Sequence, residues 1–145
     1  MKKIIVALLV ILVLMQFYQP APNKDNGQVG DNDFVKMYNM PLKIGEILKI
    51  SCYDCHSNNT HYLWYDYIQP GRMLVERHIA AAKKELNFSE WGTYSSRKQQ
   101  RLLSDIKNQV KKGEMPLRSY TLLHTQAKLK DDQVKVIVSW IEQQQ

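Results

Sequence analysis

The amino-acid sequence predicts an all-α domain behind an apolar amino-terminal helix. Three observations lead there. Several segments of helical length carry apolar residues at i, i+3 and i+4, with cap residues at their ends. Alternating strand patterns are scarce. A run of twelve apolar residues, Ile4 to Met15, follows Lys2 and Lys3 at the start of the chain. The 145 residues suit one domain plus a targeting segment. An apolar fraction of 44% with 10% aromatics excludes disorder for most of that length.

Residues 1–19 read as an export segment, either a signal anchor or a cleaved signal peptide. No good A-x-A site is present, and Pro20 and Pro22 flank Ala21, which favours an uncleaved anchor. The run is short beside the roughly twenty residues of a full span. Phe17, Tyr18 and the lysine stems in the interfacial zones make up the difference. The positive-inside rule leaves Lys2 and Lys3 in the cytoplasm and sends residues 20–145 out. Residues 20–33, PAPNKDNGQVGDND, are rich in Pro, Gly, Asn and Asp and read as a tether.

The domain proper is expected over 34–145. Ile44, Ile47 and Leu48 share a helical face, so a helix from about Pro41 runs into Cys52. Residues 57–69, SNNTHYLWYDYIQ, are polar and aromatic and read as loop with a short helical turn. Pro70 opens a helix over about 71–86, with Met73 taken as a core residue. Ser95 or Ser96 caps the next helix, whose stripe is Leu102, Leu103, Ile106 and Val110 and whose end is Gly113. Asp131 is expected to cap the last helix, with Val134, Ile137, Val138 and Ile141 on one face.

The formal net charge is +6. Lys2 and Lys3 are the only charges before residue 23, which leaves 18 basic and 14 acidic residues in the remainder. That mild bias suits an acidic partner or anionic lipid. It is too weak and dispersed for nucleic acid. Arg97, Lys98, Arg101, Lys107, Lys111 and Lys112 put six cations on one helix, which is either a docking surface or a plain solvated face.

Two cysteines, Cys52 and Cys55, stand three apart in CYDCH. C-x-x-C-H is a haem attachment signature. One helical turn brings both thiols to the same side, where they add across two vinyl groups of one porphyrin, and His56 follows directly as the proximal ligand. The expected cofactor is one covalently attached haem c. A redox C-x-x-C needs a strand before it and a βαβ setting, neither of which is apparent. A disulfide this short closes a very small loop. A zinc site needs two more ligands, which only His56, His61, His78 and His124 could supply.

For the sixth iron position, electron carriers use Met or a second His. Met115 lies in KKGEMPLRSY, just after a helix stopped by Gly113, with Pro116 preventing its resumption. It is the expected distal ligand, with a packing methionine as the alternative. His78 is the best rival. His61 is too close to His56 in sequence, and His124 suits loop hydrogen bonding. Trp64, with Tyr65 and Tyr67, offers polar-edged aromatics for a haem rim, and Arg72 offers a charge for the propionates. Core packing accounts for these four equally well.

The runs CYDCHSNNT, Trp64–Tyr65, LNFSEW at 86–91 and GEMP at 113–116, with a tryptophan near the end, resemble the small haem-binding domain family of bacterial periplasmic proteins. The resemblance covers about residues 30–143. It implies a cytochrome c-like fold and covalent haem c on Cys52 and Cys55. It also implies His56 as proximal ligand and Met115 of the MP element as distal ligand, on the periplasmic side of the inner membrane. Leu63 and Leu117 stand where members of the family often have proline.

The leading expectation is periplasmic electron transfer by a His/Met-ligated haem, with a redox partner protein, for which the basic bias suits an acidic one, and contact with the membrane through the amino terminus. Haem-dependent peroxidase-like chemistry needs an open or displaceable distal site and an acid–base group, for which no convincing His–Arg pair is visible. A haem-based sensor is the third reading.

Overall fold

The computed structural model describes residues 1–25 and 29–145; residues 26–28 of the predicted tether lie outside the described residues. The regular structure of the described residues is helical, in the order α1 (Lys2–Met15), α2 (Phe34–Met37), α3 (Leu42–Leu48), α4 (Asp54–His56), α5 (Gly71–Glu85), α6 (Ser96–Lys112), α7 (Arg118–Thr121) and α8 (Asp131–Glu142). Short 3₁₀ turns occupy Trp64–Tyr67, Phe88–Thr93 and Thr125–Ala127. The one β-type pairing among the described residues is an isolated bridge between Lys24 and Asn59.

The core forms where the expected apolar stripes meet. Leu103 of α6 and Ile137 and Ile141 of α8 are essentially inaccessible, and these two helices pack together. Phe34, held on α2 by Asp33, fills the centre. Its ring lies 4.4 Å from Trp91, 5.1 Å from Phe88 and 5.7 Å from Trp140, in the tilted, stacked and edge-on arrangements aromatic pairs favour. Asp33 caps α2 through Val35 N–H, at 3.0 Å, and also accepts from the Tyr53 hydroxyl at 3.2 Å. Ser95 caps α6, and Gly113 ends it at φ +67°, the left-handed conformation that favours glycine.

Several expectations change. The helix from Leu42 reaches Cys52 as predicted, but it widens into a π-helical turn over Lys49–Tyr53 before α4. A hydrophobic period cannot reveal that change of winding. Asp131 is the first helical residue of α8, not its cap; Lys130 precedes it and its N–H donates to Gln133 Oε1 at 2.9 Å. The two aspartates of that first turn are placed where the helix dipole favours them. Met73 is 40% exposed and is not a core residue.

The amino terminus differs most. No residue of α1 is buried. Its fourteen residues rise about 21 Å against roughly 30 Å of bilayer hydrocarbon. Among the described residues no helix is long and apolar enough to cross a membrane, so the expected spanning anchor is corrected to a short, exposed apolar helix. The stretch after it is not a loose tether over residues 20–25. Gln69 N–H donates to Gln16 Oε1 at 3.0 Å while Gln16 Nε2 donates to Gln69 O at 3.2 Å. Arg72 Nη2 donates to Pro20 O at 2.8 Å. Asn23 Nδ2 reaches Ser57 O at 2.8 Å, and Thr60 N–H donates to Asn23 O at 3.0 Å. A polar segment with little to bury is thus fixed by its backbone and amide hydrogen bonds.

Candidate functional site

The CYDCH run sits where the widened helical turn meets α4, and α4 packs on α5. Cys52 and Cys55 are half-buried and unpaired. Burial pushes the Cys52 thiol up to about 12, with the neighbouring Cys55 adding to it. Burial and then the charges of Asp54 and Asp66 push Cys55 up to about 11. Both are protonated at neutral pH and are poor thiolate nucleophiles. Among the described residues, no group of three or more His, Cys, Asp and Glu could hold a metal ion.

His56 is oriented by backbone. Its Nδ1 lies 3.0 Å from Leu86 O. A carbonyl can only accept, so Nδ1 carries the proton and the lone pair resides on Nε2. Burial lowers the imidazole pKa, partly opposed by its bond to Leu86. The ring is therefore neutral, in one tautomer, with its unprotonated nitrogen on the side away from the Leu86 carbonyl and free to accept. The intervening Asp54 is also tied down. Its carboxylate accepts from His61 N–H at 2.9 Å and from the Tyr120 hydroxyl at 2.6 Å.

The residues that hold the CYDCHSN run in place were not evident from the sequence. LNFSEW marked a family likeness but had no assigned role, and in the fold it is the bracket for CYDCHSN. Leu86 supplies the carbonyl for His56. Asn87, almost fully buried, donates through Nδ2 to Asn58 Oδ1 and Glu90 Oε1, both at 2.8 Å, and accepts from Ser89 N–H at 3.1 Å. Ser89 Oγ accepts from Asn58 N–H at 3.0 Å. Phe88 stacks on Tyr53 at 5.0 Å and meets the His56 ring edge-on at 6.1 Å. The signal available in the sequence was two polar residues, Asn87 and Ser89, alternating with apolar ones in a short run.

Met115 is placed by the end of α6. The carbonyl of Gln109 accepts from Glu114 N–H at 3.0 Å and from Met115 N–H at 3.4 Å, and the Met115–Pro116 peptide is cis. This turn folds back over a cleft of about 280 Å³. Cys52, His56, Leu86 and Phe88 line it on one side. Leu102, Ile106 and Val110 of α6 line it together with Met115 and Pro116. The fold thus brings Cys52, His56 and Met115 to one cavity; Cys55 is not among the lining residues.

The expected rim residues are elsewhere. Arg72 begins α5 while Glu85, at its other end, lines the cleft; that length of helix spans about 20 Å. Arg72 is instead buried between the rings of Tyr62 and Tyr67, 4.8 and 5.1 Å away, with Glu76 Oε1 at 3.2 Å. Trp64 lies on the 3₁₀ turn that packs against α5, is 75% exposed, and does not line the cleft. His61 and His78 are exposed, and His124 is buried, stacked on Tyr120 with ring centroids 4.1 Å apart; none of the three lines the cleft.

The family model for a haem-binding domain matches residues 10–143. The chain belongs to the haem-binding domain family. No curated protein and no solved structure matches it. Family membership makes haem the ligand, and the cleft's donor set fits that group: a neutral imidazole, a thioether and an apolar wall. The haem-binding domain extends back into the second half of α1, so the strap over residues 16–25 lies within the matched region.

Proposed function

We propose that this haem-binding domain is a c-type cytochrome that carries electrons on the periplasmic side of the bacterial inner membrane. One haem c is attached through Cys52 and Cys55, with His56 and Met115 as the iron ligands. What carries the reading is that His56 and Met115, 59 residues apart in the sequence, line one apolar cleft together with Cys52. Bound there, the iron supplies a one-electron couple whose potential thioether ligation raises.

The chain's own residues bind, orient and exclude. The Leu86 carbonyl holds the His56 ring in one tautomer. The turn after Gly113 delivers the Met115 thioether. Leu102, Ile106 and Val110 keep water from the apolar wall. The redox partner is an acidic protein that meets the basic face of α6, where Arg97, Lys111 and Lys112 are exposed. The exposed apolar α1 lodges in the membrane and keeps the domain near its surface.

The full chain, produced with haem maturation, tests this. The expected result is haem that stays with the polypeptide after denaturation, and a near-infrared sulfur–iron band that Met115→Ala removes. Haem released by denaturant sinks covalent attachment. A low-spin spectrum unchanged in Met115→Ala sinks the thioether ligand.

A further inference from the structure

Helix α6 faces the cleft with two parallel rows. Leu102, Ile106 and Val110 recur every fourth residue, are buried, and form its apolar wall. Arg101, Asp105 and Gln109 each precede one of them, recur at the same spacing, line the same cleft and are exposed. Residues four apart stack along one side of a helix. The cleft therefore has an apolar wall and, beside it, a polar rail at its mouth.

The charges on that mouth are unequal. Asp105 and the exposed Glu85 both line it, and Arg101 is the one basic side chain among the described lining residues. Arg101 Nη1 donates to Asp105 Oδ2 at 2.9 Å. Its Nη2 and Nε take no partner among the described residues, so part of the guanidinium fork is open to a second carboxylate. Haem is a flat apolar ring with two carboxylates on one edge. Asp105 and Glu85 repel that edge, and only Arg101 attracts it.

We propose that Arg101 is the recognition residue for the haem carboxylates and that Asp105 attenuates it. The proposal rests on the cleft being the haem site, and it gives Arg101 the role that the sequence suggested for Arg72. Because Arg101 and Asp105 both protrude into solvent, replacing either leaves the core intact. The two substitutions act in opposite directions. Arg101→Ala removes the attraction and leaves Asp105 to repel; Asp105→Asn removes the competing charge.

The test is absorbance titration of the full chain, produced without haem maturation, with haemin and with haemin dimethyl ester, whose carboxylates are masked. The expected result for Arg101→Ala is haemin binding weakened about three- to tenfold with ester binding unchanged. Arg101→Lys restores part of the loss, and Asp105→Asn strengthens haemin binding severalfold. Haemin binding unchanged in Arg101→Ala overturns the proposal. So does equal weakening for both ligands, which marks a packing role. A wild-type chain that binds neither ligand sinks the cleft as the haem site and this inference with it.

Discussion

Asn87→Ala is the sharpest test of how the CYDCHSN run is held. The side chain is 2% exposed and makes three hydrogen bonds, two donated to Asn58 Oδ1 and Glu90 Oε1 and one accepted from Ser89 N–H. At about 1 kcal/mol net for each, and with buried partners left unmatched, truncation costs roughly 2–4 kcal/mol. That is a large share of an ordinary domain's stability of about 5–15 kcal/mol. For a chain of this size it corresponds to a melting temperature lower by about 5–12 °C. Circular dichroism melting and urea unfolding of the full chain read it directly. Asn87→Asp is nearly isosteric, yet it replaces the Nδ2 donor with an oxygen facing two acceptors, so it is expected to destabilise at least as much. A loss below about 1 kcal/mol for Asn87→Ala refutes the bracket. A wild-type-like Asp variant refutes the donor assignment.

Two glycine substitutions probe neighbouring points by the same melting assay. A Cβ at Gly92 would lie 2.5 Å from Asn32 Oδ1 and 2.7 Å from Met37 Sδ, and Gly92 N–H donates to Asn32 O at 2.9 Å, so Gly92→Ala is expected to cost about 1–3 kcal/mol. An unchanged melting temperature would show that this loop moves aside freely. At Gly113 nothing crowds a Cβ, but φ is +67°, so Gly113→Ala is expected to cost only about 1 kcal/mol. Under the proposed His/Met ligation, the same change in the haem-loaded protein is expected to weaken the sulfur–iron band by displacing the turn that carries Met115; an intact band with lowered stability would separate the cap from the ligand.

The helices were legible because their signals are local. Ser95 and Gly113 punctuate α6, and the spacing of Leu102, Leu103, Ile106 and Val110 identifies its inner face. The run of 3₁₀ structure at Phe88–Thr93 was missed because it is short and lacks a repeating period. α2 was missed for the same reason, its four residues carrying a cap, Asp33, but no repeat. Arg72 and Trp64 were misplaced because residue chemistry says nothing of distance. Both suit a haem rim, and both lie by the far end of α5.

The sequence by itself determined an all-helical chain, a C-x-x-C-H segment at the end of a helix, and a methionine in a turn stopped by glycine and proline. Those features rest on spacing and backbone preference, which act over a few residues. Only the tertiary structure decided which of them meet. Met115 and His56 share a cleft because α6 returns its carboxyl end to the C-x-x-C-H segment; Arg72 does not because α5 carries it away. The neutral tautomer of His56 was equally out of reach, since the atom that fixes it is a main-chain carbonyl, Leu86 O, and any residue at that position carries one.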